Sequence, residues 1–139
     1  RAAPEIKSPS IDGQQMSISD FDGKVLMIDF WSTWCIPCRQ EAPLLADTYN
    51  EYSGQSVEFI GVAVWDDTDK IIEFANEINI PYPIIVDSQG LTAIDYGVVG
   101  IPEKYFVDRN GQLVNKYTGP IDSYTLRYIL DQLIVDKDS

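Results

Sequence analysis

Val25-Leu26-Met27-Ile28-Asp29-Phe30-Trp31 runs through Ser32-Thr33 into Trp34-Cys35-Ile36-Pro37-Cys38-Arg39-Gln40-Glu41-Ala42-Pro43. Apart from Asp29, the first seven residues are branched, aromatic or long apolar side chains, the composition of a strand buried on both faces. From Pro37 onward the apolar positions Cys38, Ala42, Leu45, Tyr49 and Tyr52 recur at four- and three-residue steps, which lays one face of a helix against a sheet. Two cysteines therefore stand where a buried strand becomes a helix. At that junction the first-turn N–H groups and the helix dipole favour negative charge, so Cys35 is expected to be the thiolate. Its pKa is expected below the free value of ~8.5, each unit being worth about 1.36 kcal/mol. Cys38, one turn deeper, is the expected resolving thiol. Pro37 has no N–H to lose at a helix start, and its fixed φ preorganises the turn.

The competing readings of the pair are weaker. A ring this small removes little chain entropy, so a purely structural disulfide makes poor use of the bond. Zinc requires four ligands, and the chain offers two cysteines and no histidine. Neither a metal nor another cofactor is expected.

Outward from the pair, residues 2–22 alternate loosely around Asp12-Gly13 and predict a short N-terminal β-hairpin. Gly54 ends the first helix. Residues 57–65 predict a second buried strand, residues 68–78 a helix with Ile71, Ile72, Phe74, Ala75 and Ile78 inward, and residues 82–86 a third strand. After a short segment at 91–96, strands at 104–107 and 112–117 flank Asp108-Arg109-Asn110-Gly111, whose Asn-Gly signals an antiparallel hairpin. Residues 122–135 close the chain as an amphipathic helix, with Leu126, Ile129, Leu130 and Leu133 inward and Asp122 or Ser123 as its cap. This order predicts an α/β architecture, a mixed central sheet with helices on both faces, in one domain over residues 1–139.

The 139 residues carry 10 Lys+Arg against 22 Asp+Glu, a net charge of −12. Such a surface repels phosphate backbones and anionic headgroups, so nucleic acid is excluded as an expected partner. The absence of histidine removes the usual base of hydrolytic triads. No run approaches the length of a membrane helix. The chain opens on Arg1 rather than Met, which suggests a removed signal peptide or anchor, and a cloning boundary explains it equally well.

The residues 29–43 resemble the thioredoxin superfamily, and more closely its TlpA/ResA/DsbE(CcmG)-like branch. The resemblance extends to Asp22-Gly23-Lys24 after the predicted hairpin, to a central helix–strand insertion at residues 68–86, to Tyr96-Gly97-Val98-Val99-Gly100-Ile101-Pro102-Glu103, and to the Asp108–Gly111 turn. It implies a thioredoxin fold and a cis Ile101–Pro102 peptide beside the disulfide, presenting the backbone of Ile101 to an extended substrate. Trp34, Ile36, Pro37, Ile101, Pro102 and Glu103 are accordingly the expected substrate-binding residues. Glu103 reads equally as a solvated acid at a strand start. Pro43, inside the helix, matches a kink-forming proline and is read as structural.

Two acids compete as proton carriers. Asp29 occupies the position where thioredoxins keep a buried acid beneath the resolving cysteine. Glu41 matches the acid that the nearer branch uses. A buried carboxyl without a cationic partner has a raised pKa and can accept the Cys38 proton. Glu41 is preferred, an acid on an exposed helix face being the ordinary case, while Asp29 reads alternatively as a hydrogen-bonded strand-end residue.

The expected activity is that of an extracytoplasmic bacterial thiol–disulfide oxidoreductase reducing client protein disulfides, with Cys35 attacking and Cys38 resolving. Apocytochrome c is a client implied by the resemblance, as is a membrane-bound thiol–disulfide electron donor; the protein itself is expected to be a monomer. Two alternatives stand beside this: a peroxiredoxin-like peroxide reductase, weakened by the second cysteine, and a copper-handling or redox-silent binding module, weakened by the absence of histidine.

Overall fold

The computed structural model describes residues 1–136. Its centre is β1 (Val25–Trp31), buried at every position as its composition dictates. The cysteine-bearing helix α1 (Ile36–Tyr52) follows, then β2 (Val57–Val64), α2 (Thr68–Ile78), β3 (Ile84–Asp87), α3 (Leu91–Tyr96), β4 (Glu103–Val107), β5 (Leu113–Thr118) and α4 (Ser123–Val135). The sheet order is β3-β2-β1-β4-β5. β1 pairs parallel with β2 and β2 with β3, whereas β4 runs antiparallel to both β1 and β5. The central insertion is α2 and β3, as the resemblance implies.

Alternation along β1 sorts its side chains onto two faces. Leu26, Ile28 and Phe30 pack with Phe21, Tyr96 and Tyr105 beneath the N-terminal segment and α3. Val25 and Met27 pack with Leu45, Leu126 and Leu130 under α1 and α4. Burying each such leucine contributes about 1.5–3 kcal/mol. Asp29 and Trp31 share this second face, and Trp31 joins Cys35, Cys38, Ala42, Ala63 and Phe74 at the end of the sheet. Gly61, opposite Asp29 in β2, keeps that end open: a Cβ there would stand 3.0 Å from Trp31 Nε1.

The predicted N-terminal hairpin is corrected. Asp12-Gly13 does turn the chain, with Gly13 N–H on Ser10 O and Ser10 N–H on Gln14 O, but its arms form no ladder with each other. Ala2 bridges to Gln112 and Ser10 to Ile85, so the sheet's own edges take up the segment. An unsupported two-stranded hairpin gains too little to compete with those edges.

Candidate active site

The redox loop is built where β1 hands over to α1. Cys35 is the N-cap of α1, in extended backbone, and its Sγ accepts the Cys38 N–H at 3.3 Å. Pro37 occupies the first turn, where a missing N–H costs nothing. Cys35 and Cys38 are joined as a disulfide with Cα atoms 5.2 Å apart. When the bond opens, the same helix terminus and N–H group favour a Cys35 thiolate.

The loop before the pair is clamped from β2's end. Thr33 donates its N–H and its hydroxyl to Asp66 Oδ2 at 2.6 and 2.7 Å, and Trp34 Nε1 donates to Trp65 O at 2.8 Å. Arg39 lies over the Phe74 ring, 4.5 Å from its centroid. Trp34 is thereby held with its ring outward, 57% exposed, beside Ile36 at 67%. The cysteines themselves are 5% and 3% exposed, so a reacting sulfur sits within an apolar rim.

The Ile101–Pro102 peptide is cis. Ile101 packs against the cluster that holds both cysteines, and among the described residues no hydrogen bond engages its backbone. Pro102 is buried, and its carbonyl accepts the Gly119 N–H at 2.9 Å. A groove of about 430 Å³ runs along Val99, Gly100, Ile101 and Gly119.

Glu103 is not a solvated acid, although it borders the groove beside Ile101 and Pro102. It is 2% exposed, with Oε2 accepting the Val99 and Gly100 N–H groups at 3.2 and 3.1 Å and Oε1 accepting the Tyr105 hydroxyl at 2.7 Å. Strand alternation explains the placement, since Glu103 shares a face with Tyr105 in the Phe30–Tyr96 core. Its carboxylate shapes the proline loop from within.

The two acids need a larger correction. Glu41 does not lie on an exposed helix face: it is 6% exposed, one turn from Cys38 on the buried side of α1. Neither acid lacks a cation, because both meet Lys104, which is fully buried. Lys104 stands opposite Asp29 in the β1–β4 ladder, with Nζ 2.9 Å from Asp29 Oδ1 in an ion pair that is off the hydrogen-bond direction. The same ammonium donates to Glu41 Oε1, while Glu41 Oε2 accepts the Ile121 N–H at 2.9 Å. Burial holds both carboxyls above their ordinary range: Lys104 opposes the rise at each, and the Asp29 charge adds to it at Glu41. Lys104 in turn is held above its ordinary value: burial alone would lower it, and the two acids outweigh that.

Lys104, Trp65 and Asp66 are absent from the sequence-based candidates. One signal for Lys104 was available: in an alternating strand it shares parity with Phe106, an inward residue. Nothing local identified its partners. Among the described residues no cluster suited to a metal ion occurs, and no helix is long and apolar enough to cross a membrane.

Two sulfurs within bonding reach, one capping a helix and both set below an apolar rim, are equipped for thiol–disulfide exchange. Fold and site together define a thioredoxin-like disulfide oxidoreductase. The chain belongs to the AhpC/TSA family, whose profile matches residues 1–116. It is 29% identical to the thiol-disulfide oxidoreductase ResA of Geobacillus thermodenitrificans over 94% of this chain and 75% of that protein. It is 30% identical to the thioredoxin-like protein YneN of Bacillus subtilis over 93% of this chain and 76% of that one. A Chlorobium tepidum structure assigned as the thiol:disulfide interchange protein DsbE superposes with a TM-score of 0.88 at 28% identity, over 96% of this chain and 95% of that one.

Proposed function

We propose that this protein works outside the bacterial cytoplasm as a reductant of client protein disulfides, apocytochrome c among its clients. The observation that carries this reading is the placement of Cys35, a helix-capping sulfur that accepts the Cys38 N–H and lies at the foot of an exposed apolar rim. Reduced, the Cys35 thiolate attacks one client sulfur; the client S–S bond breaks, a Cys35–client bond forms, and the other client sulfur leaves as a thiolate. Cys38 then loses its proton and attacks Cys35. The mixed disulfide breaks, two electrons remain on the client, and the Cys35–Cys38 bond is restored. A membrane-bound dithiol donor reduces the pair for the next cycle.

Trp34, Ile36 and Pro37 form the rim a client meets, and the unengaged backbone of Ile101 offers an edge for an extended segment. The relatives, a thiol-disulfide oxidoreductase and a thiol:disulfide interchange protein by name, support exchange with disulfides as the reaction.

Equilibration with glutathione buffers tests the direction of transfer. A potential near the reducing end of the roughly −270 to −120 mV span of related dithiols supports the reading, and one near −120 mV overturns it. Cys38→Ser should trap clients on Cys35 as mixed disulfides that dithiothreitol releases. Reaction with peroxide faster than with a protein disulfide would favour the peroxide-reductase alternative instead.

A further inference from the structure

We propose that Trp65 is a specificity-determining residue of the redox centre: its indole continues the rim of Trp34 and Ile36 toward Leu91, and the row so formed takes up an apolar or aromatic side chain of the client segment that carries the reacting sulfur. The inference rests on the exchange reaction described above and adds which clients that reaction favours.

Trp65 holds a backbone conformation that its bulky side chain disfavours. It lies just past the end of β2 with φ at +54°, in the left-handed region that glycine and asparagine enter far more readily. The turn itself is needed, because the Trp65 carbonyl accepts the Trp34 Nε1 hydrogen at 2.8 Å and the next residue, Asp66, holds Thr33. Any residue would supply that carbonyl, and asparagine would do so with less strain. The clamp therefore does not call for an indole. Residues held in such conformations cluster at active sites and ligand clamps, where the side chain is put to use.

The ring is not spent on the core either. Trp65 is 49% exposed, and among the described residues its indole N–H meets no acceptor. One edge of the ring stands over Gly90, where a Cβ would lie 3.9 Å from Nε1. Val64 pairs with Asp87 in the β2–β3 ladder, so the chain leaving β3 passes beside Trp65 and opens α3 with Leu91, 45% exposed. Ile94, three residues further along α3, is exposed as well. On its other side the row reaches Trp34 and Ile36, the two neighbours of Cys35.

What lines the row sets the chemistry of its occupant. Trp34, Ile36, Trp65 and Leu91 are apolar, while Asp66 is turned to Thr33 and Asp67 faces Lys70 at 3.7 Å. An uncharged client side chain gains by covering such a surface, and an aromatic one gains further from the indole rings. A charged one would lose hydration without meeting an unpaired counter-charge. The Trp65 N–H can donate to a backbone carbonyl of an extended segment and fix its path across the ring. Because the row begins at the rim beside Cys35, its occupant and the attacked sulfur belong to one client segment.

The test offers the reduced protein short alanine-rich peptides, each with one cysteine joined through a disulfide to thionitrobenzoate. Phe, Lys or Ala is placed at successive positions on either side of that cysteine, and the rate constant is read from the coloured thiolate released when Cys35 attacks the peptide sulfur. At the favoured position the wild type should attack the Phe peptide about three- to tenfold faster than the Ala peptide. Trp65→Asn suits the left-handed turn and should bring the Phe-to-Ala ratio to about one. A Trp65 that only shapes the loop would scale both peptides equally, and an unchanged ratio in the folded variant overturns the proposal. A wild type that prefers the Lys peptide overturns it too, since the row would then be a cation site. Leu91→Asn, outside the clamp, should lower the same ratio and decides the matter if Trp65→Asn does not fold: an undiminished ratio there overturns the proposal. A wild type that reacts with the Ala peptide and shows no preference sinks only the role of Trp65, whereas one inert toward every peptide disulfide sinks the function reading itself.

Discussion

Lys104 is the residue that the two buried acids Asp29 and Glu41 share, and its energetics follow from its burial. Removing one member of a buried ionic cluster leaves the others uncompensated, so Lys104→Met should destabilise the fold by about 3–5 kcal/mol, measured as a lowered urea midpoint. A loss below about 1 kcal/mol would show that the cluster is well hydrated. The acids set a pH dependence of definite sign. Their folded pKa values are raised, so the folded protein retains protons that the unfolded chain has released. Stability is thus fully present below the ordinary carboxylate range and declines as pH rises through the folded values. Asp29→Asn should flatten this decline in urea midpoints taken from about pH 4 to 8. An unchanged slope would assign it to other groups.

At the scale of elements, the redox loop is held by contacts from β2 and the turn after it. Asp66 accepts both the N–H and the hydroxyl of Thr33, two residues before Cys35. Asp66→Ala leaves that N–H without its acceptor and should cost about 1–3 kcal/mol, read as a lower melting temperature of the oxidised protein. Gly61 acts through space alone: a Cβ on it would stand 3.0 Å from Trp31 Nε1 and 3.4 Å from the Tyr82 ring, so the indole would have to give way. Gly61→Ala should displace Trp31, shifting its fluorescence and costing about 1–3 kcal/mol. An unshifted spectrum at full stability would mean that the indole has another place to go. Gly61 also illustrates what a strand pattern hides. Within residues 57–65 it reads as one small residue in an apolar run, and only the neighbouring strand shows what it makes room for.

Across the whole molecule, the net charge of −12 sets how partners approach. Long-range attraction raises encounter with cationic clients and is screened over about 10 Å at 0.1 M salt. Reduction of a lysine-rich disulfide substrate should therefore slow in kcat/KM as salt rises from about 20 to 200 mM, whereas an acidic substrate should speed up. Equal responses in stopped-flow assays would show that local contacts at the rim outweigh the overall field.

The amino-acid sequence by itself determined the elements and the sulfur chemistry, because both are local. The run at residues 25–31 became β1 with the predicted bounds, the helical spacing after Pro37 became α1, and residues 68–78 became α2. Cys35 and Cys38, three apart at a helix start, could scarcely do other than meet. Only the tertiary structure decided the environment of the acids. Lys104 is 75 residues from Asp29, and the antiparallel register of β4 on β1 sets the two side by side, while the packing of α1 turns Glu41 inward to meet them. The solvated reading of Glu103 failed for the same reason, its partners Val99, Gly100 and Tyr105 being fixed by the proline loop's path and not by spacing. Charges in a low-dielectric core respond to whatever lies within a few ångströms, and that neighbourhood is created by strand pairing and helix docking, which a linear pattern of residues does not contain.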